Sequence, residues 1–154
     1  MVVIRNASKN DIEIIVEFNM NLAKETEDYE LELDCITAGV HALFRDPSKG
    51  RYFMAEMDDK IVGQTSVTLE WSDWRNGYWW WIQSVYIIPQ ARKCGVFRAL
   101  YEHIQNEARQ AGAVGLRLYV EKSNHAAQKT YISLGMDGSH YHFFENGFAE
   151  TGLL

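Results

Sequence analysis

Cysteine is scarce. The 154 residues hold two, Cys35 and Cys94, far apart and at no metal-type spacing. So sparse a set makes no disulfide framework and fits a reducing compartment, the cytoplasm. The five histidines show no ligand pattern either. His140 and His142 alternate along a strand-like run without a third partner, so no metal is expected. Long apolar runs are missing, and nothing approaches the length that spans a membrane. The opening Met1-Val2-Val3-Ile4 gives way to Arg5 and Asn6 too soon for a signal peptide. A basic excess is missing too: 15 Lys and Arg stand against 21 Asp and Glu, for a net charge of −6. A nucleic-acid binder usually carries a basic patch, so no such partner is expected. Neither nucleotide signature occurs, Gly-x-x-x-x-Gly-Lys-Ser/Thr or Gly-x-Gly-x-x-Gly. No linker, repeat or low-complexity tract divides the chain, and its length suits one domain over residues 1–154 with one core.

What is present is a regular succession of elements. Val2–Asn6 reads as a strand. Ser8 and Asp11 take the form of a capping box, opening a helix whose stripe of Ile12, Ile15, Val16 and Leu22 runs to about Ala23. Residues 25–30, Glu-Thr-Glu-Asp-Tyr-Glu, read as an acidic loop. Ile36, Val40, Leu43 and Phe44 mark a second helix, ended at Asp46-Pro47. Strands at 52–57 and 61–69 flank Asp58-Asp59-Lys60, a hairpin turn. A strand at 78–88, closed by Pro89, leads to a helix that carries Phe97, Leu100, Tyr101, Ile104 and Ala108 on one face. Residues 116–120 form a further strand and 126–134 a fourth helix. Two last strands are expected at 140–144 and after Asn146-Gly147. The order β-α-α-β-β-β-α-β-α-β-β is that of an α+β protein with a mostly antiparallel sheet.

Two segments carry chemistry. The first, Arg92-Lys93-Cys94-Gly95-Val96-Phe97-Arg98, joins a strand to a helix N-terminus. The first N–H groups of a helix have no internal partner, and the macrodipole adds partial positive charge there. Three cations around a glycine that lets the backbone come close make this a candidate pyrophosphate cradle. The other reading is a solvated cationic turn. The second segment, residues 124–136, reads Asn-x-x-Ala-x-x-x-Tyr-x-x-x-Gly-Met. Asn124 is a plausible N-cap, Ala127, Tyr131 and Leu134 share a helical face, and Gly135 is a C-terminal stop.

Together these segments resemble the GCN5-related N-acetyltransferases, the GNAT superfamily. That family's first motif reads Arg/Gln-x-x-Gly-x-Gly/Ala, and its second reads Asn-x-x-Ala-x-x-x-Tyr-x-x-x-Gly-Phe. Arg92 and Gly95 match, while Phe97 replaces the last small residue of the first motif. Val85-x-Ile87-x-Pro89 fits the family's preceding strand. The resemblance covers nearly the whole chain. It implies the GNAT fold, a mixed, mostly antiparallel sheet of six to seven strands flanked by about four helices.

The resemblance also implies an acetyltransferase that moves acetyl from acetyl-CoA to a primary amine of a small molecule or peptide by direct attack. Val85, Tyr86 and Ile87 would offer backbone groups to the pantetheine arm. Arg92, Lys93, Cys94, Gly95, Val96, Phe97 and Arg98 would hold the pyrophosphate of coenzyme A. Tyr131 would protonate the departing thiolate, a role suited to a donor whose ordinary pKa is about 10. Asn124 would bond the pantetheine or cap its helix. Glu25, Glu27, Glu70 and Asp73 are candidates to take the amine proton, Glu27 and Glu70 foremost; each also reads as a solvated charge. Cys94 lies in the wrong place for an acyl-cysteine nucleophile. The acidic balance is compatible with a cationic acceptor. All five tryptophans fall in residues 70–81, with Trp79 and Trp81 on one strand face and Trp80 on the other. They line an amine through cation–π attraction, or they pack a core or homodimer interface. The alternatives are a non-catalytic coenzyme A-binding or interaction module of the same fold, and a transferase of a longer acyl group. Tyr131 and Asn124 favour the enzyme.

Overall fold

The computed structural model of the chain describes residues 1–138 and 140–148. Contacts divide the chain into two compact units, residues 1–118 and residues 119–154. The first unit holds β1 (Val2–Asn6), α1 (Ile12–Glu27), α2 (Leu33–Arg45), β2 (Arg51–Met57), β3 (Lys60–Ser72), β4 (Gly77–Ile87), α3 (Val96–Gln110) and β5 (Gly115–Arg117). The second holds α4 (His125–Ser133). One sheet runs in the order β1-β2-β3-β4-β5, with antiparallel pairs except for the parallel β4–β5.

The entry to α1 is fixed by polar groups. The Ser8 amide and hydroxyl both donate to Asp11 Oδ2, at 2.7 and 3.1 Å. The Arg5 guanidinium closes on the same carboxylate with bonds of 2.8 and 2.9 Å, which lets Asp11 sit buried as an anion. The hydrogen bonds from Arg5 outweigh the cost of burial and lower the Asp11 pKa to about 2. Beyond this box, α1 lays Ile12, Ile15 and Val16 against Val40 of α2 and against Tyr52 and Met54 of β2. Phe53, between those two β2 residues, points to the other face and meets His103 of α3 with ring centroids 5.4 Å apart. Helices therefore cover both faces of the sheet, and the core lies in two layers. The β2–β3 hairpin turns at Asp58 and Asp59, with φ of 49° and 59°. Two successive left-handed residues match the right-handed twist of the flanking strands.

Several sequence expectations need correction. Five strands stand among the described residues, not six to seven. Residues 140–148 form no strand, and their aromatics Tyr141, Phe144 and Phe148 are exposed. Alternation along 140–144 suggested a strand, but no ladder partner completes it. The rest of the strand expected after Asn146-Gly147 lies outside the described residues. The acidic loop is half helix, because α1 continues through Glu25, Thr26 and Glu27 to a left-handed C-cap at Asp28 (φ 48°). Helix α3 starts at Val96, which is buried as its first core residue, whereas Phe97 is only half-buried. The strand expected at 116–120 pairs only over Gly115–Arg117.

Candidate functional site

β4 delivers the chain into a short 3-10 turn, Pro89–Ala91, and then into the four residues before α3. Lys93 and Gly95 take left-handed φ values of 62° and 79°, so the backbone folds back around Cys94. Gly95 is the N-cap of α3, and a Cβ added there would meet nothing within 4 Å. The glycine is thus demanded by its backbone angle, and the space before the helix is open. Into that space face the first amides of α3, which by helix geometry have no partner within the helix. Lys93 makes no ion pair among the described residues, and Arg98 reaches Glu102 only at 3.9 Å. Arg92 is held more firmly. Its Nε donates to the Ile87 carbonyl at 2.9 Å and its Nη2 to Glu25 Oε2 at 2.6 Å, with the guanidinium 5.7 Å from the Tyr86 ring centre. The Val96 side chain is turned into the core, which leaves its amide as the group offered outward. Cys94 is exposed, and its thiol donates to the Arg92 carbonyl at 3.5 Å.

Just upstream, β4 carries an extra residue. Gln64 faces Tyr86 and Ser66 faces Gln83, so Thr65 lies opposite both Ser84 and Val85. Ser84 takes φ 51°, a left-handed angle that bends the strand at this bulge. On its other side β4 pairs with β5 only through Trp79, Trp80 and Trp81. The edge from Ile82 to Ile87 has no strand partner among the described residues. Backbone groups of Val85, Tyr86 and Ile87 therefore lie along an open, bulged edge that runs into the cationic turn.

Tyr86 itself is buried, with its ring 5.0 Å from that of Phe18 on α1. Burial pushes its phenol above the ordinary value, and the Glu25 carboxylate adds to that, while Arg92 and a hydrogen bond with Asn21 oppose it. Asn21, Met20 and Glu17 of α1 line a groove of about 460 Å³ between α1 and α2, with Leu33, Thr37 and His41 opposite. The groove's polar residues were not singled out from the sequence, because each looks like an ordinary surface residue of its helix.

The tryptophans divide as the strand period dictates. Trp80 is buried under the Arg51 guanidinium, 4.7 Å from its ring centre. Trp79 and Trp81 are half-buried on the opposite face, and Trp71 and Trp74 stand exposed on the β3–β4 hairpin. The Trp79 ring has the guanidinium groups of Arg117 and Arg75 at 3.9 and 5.5 Å. It packs on the bare Gly115 backbone, where a Cβ would come within 2.6 Å of the ring. Glu70, beside Trp79 in the β3–β4 register, accepts from Arg117 Nη1 at 2.5 Å and from Trp81 Nε1 at 3.2 Å. Both its oxygens are engaged. Arg117 was missed in the sequence, although a lone arginine inside an apolar strand was a usable signal. Glu27 is exposed at the last position of α1, and Asp73 is exposed in the hairpin turn.

In the second unit, Asn124 caps α4 as its sequence suggested, its Oδ1 accepting the Ala127 amide at 3.1 Å. Gly135 ends the helix with φ 90°. Tyr131 lies between them, and burial raises the pKa of its phenol. Tyr119 stacks on Phe143 with centroids 5.0 Å apart. Among the described residues no helix is long and apolar enough to cross a membrane, and no group of three or more His, Cys, Asp or Glu is placed to hold a metal ion.

Residues 13–136 match the sequence model of the acetyltransferase (GNAT) family. Among solved structures, a possible acetyltransferase from Clostridium difficile 630 is 46% identical, with a TM-score of 0.88 over 96% of this chain and 98% of that one. A probable acetyltransferase shares the fold at 19% identity and a TM-score of 0.85, over 96% and 98% of the two chains. A predicted acetyltransferase from Clostridium acetobutylicum, solved with acetyl-CoA, shares it at 18% identity and a TM-score of 0.77, over 95% and 96%. No curated protein matches the chain.

Proposed function

The chain belongs to the acetyltransferase (GNAT) family, and on that premise we propose that it moves acetyl from acetyl-CoA to a primary amine of a small molecule or peptide. The observation that carries this reading is the open, bulged edge of β4 running directly into the glycine-capped, cationic N-terminus of α3. Extended backbone suits the amides of a pantetheine arm, and a helix N-terminus with Lys93, Arg92 and Arg98 suits a pyrophosphate. The residues fit the group, because the space before Gly95 is open.

The amine attacks the thioester carbonyl directly, the carbon–sulfur bond breaks, and the thiolate leaves. Tyr131 supplies the proton to that thiolate. A phenol at its ordinary pKa of about 10 is already protonated at neutral pH, the state a donor needs, and burial raises it further. The proton lost by the amine goes to a carboxylate, Glu27 or Glu70. Glu70 already accepts from Arg117 and Trp81, one on each oxygen, whereas Glu27 is exposed at the end of α1, so the two carboxylates are not equivalent. Asn124 caps α4 through its Oδ1, and its side-chain amide N–H groups are the ones it would offer to the pantetheine. The exposed Trp71 and Trp74 supply the surface for a homodimer, and two exposed free cysteines suit the cytoplasm.

A screen of polyamines, aminoglycosides, amino acids and lysine peptides for thiol release from acetyl-CoA tests the reading. Release with at least one amine supports it. Tight binding of coenzyme A with no turnover on any amine would mark a non-catalytic binding module instead.

A further inference from the structure

Three consecutive polar residues, Gln64, Thr65 and Ser66, lie at the centre of the sheet with exposures of 0%, 0% and 4%. Apolar side chains would fill those positions without the cost of burying hydroxyl and amide groups. Each of the three donates to a carbonyl of the β4 bulge. Thr65 Oγ1 reaches the Gln83 carbonyl at 2.9 Å, and Ser66 Oγ reaches the same oxygen at 3.2 Å. Thr65 and Ser66 point to opposite faces of β3, so this carbonyl is gripped from above and below the sheet. Gln64 Nε2 donates to the next carbonyl, that of Ser84, at 3.3 Å. That bond fixes the orientation of the Gln64 amide and leaves its Oε1 buried with no hydrogen-bond partner among the described residues. A buried acceptor without a donor is destabilising. The strand tolerates it at the residue just before the one that opposes the bulge.

Ser84 needs such support. A non-glycine residue at φ 51° is strained, and such a residue persists where its surroundings hold it. We infer that Gln64, Thr65 and Ser66 are positioning residues that lock the β4 bulge and thereby set the backbone of Val85, Tyr86 and Ile87 for the acyl-pantetheine arm. They touch no ligand themselves; they act through the two carbonyls. The inference rests on the proposal that this edge receives acetyl-CoA.

The test compares Thr65→Val with Ser66→Ala as a double variant, Thr65→Ser, and Gly95→Glu, each against the parent. Calorimetry gives the affinity for acetyl-CoA, thermal denaturation gives Tm, and amide hydrogen exchange reads Ser84 to Ile87. The double variant is expected to bind acetyl-CoA roughly 5–30-fold more weakly, the equivalent of one or two lost backbone bonds. Its Tm should stay within a few degrees of the parent, and exchange should quicken at Ser84 to Ile87. Thr65→Ser, which keeps the hydroxyl, should bind acetyl-CoA close to the parent. If Gly95→Glu abolishes binding while the double variant binds like the parent, the cofactor reading stands and this inference falls. A loss of affinity that Thr65→Ser shares in full, matched by a large fall in Tm, overturns it as well. A parent that binds no acetyl-CoA overturns both.

Discussion

Glu25 on the last turn of α1 accepts a hydrogen bond from Arg92 at 2.6 Å, linking residues 67 apart in the chain. The same guanidinium holds the Ile87 carbonyl, so one side chain ties α1, the end of β4 and the turn before α3 together. The Glu25 carboxylate is thereby given to a cation, as that of Glu70 is to Arg117.

The pair sets up a competition. Both side chains are more than a third exposed, 44% for Arg92 and 40% for Glu25, so the bridge adds ~0–1 kcal/mol to folding. A pyrophosphate arriving at the turn must share or displace Glu25. Glu25→Gln should therefore tighten coenzyme A binding by about two- to fivefold at low salt, and the gain should fade as ionic strength rises. Titration calorimetry at two salt concentrations reads this directly. Weaker binding in the variant would mean that Glu25 presents Arg92 to the ligand rather than competing with it.

For Tyr131, the change to Phe should lower kcat by ~10²–10⁴ with little change in the affinity for acetyl-CoA. Steady-state kinetics and calorimetry on the same preparation separate the two quantities. A fall in Tm with turnover intact would make the tyrosine a packing residue.

The base is decided by pH. Glu70→Gln and Glu27→Gln are compared with the parent on any amine that the enzyme accepts. The true base should lose its acidic limb in kcat/KM along with roughly 10²–10⁴ in rate. Glu70→Gln carries a second consequence, because it leaves Arg117 over Trp79 without its carboxylate. Unchanged profiles in both variants would assign the proton to water.

Much of this was legible in the sequence. The capping box at Ser8 and Asp11, the Asp58-Asp59 turn, the Asn124 cap and the Gly135 stop are local devices, each set by a few neighbouring residues. The turn from Arg92 to Gly95 was legible for the same reason. The partners of those residues were not. Glu25 with Arg92, Glu70 with Arg117, and Thr65 with Gln83 join positions 18 to 67 apart, and nothing in local spacing encodes such pairs. The run Gln64-Thr65-Ser66 inside an apolar strand was the one available sign of the bulge. Strand ends were misjudged where pairing, not pattern, sets the limit. β5 stops at Arg117 because its pairing with β4 ends at Trp81, short of the bulge.

The central claim is that coenzyme A lies with its pyrophosphate on the turn from Arg92 to Phe97, and Gly95→Glu tests it most directly. The substitution sets a negative, strained side chain at φ 79° in the open space before α3. Calorimetry should show acetyl-CoA binding to the parent and a loss of about tenfold or more in the variant, the equivalent of ~1.4 kcal/mol or above. Equal affinity in the two proteins would contradict the account and put the cofactor elsewhere.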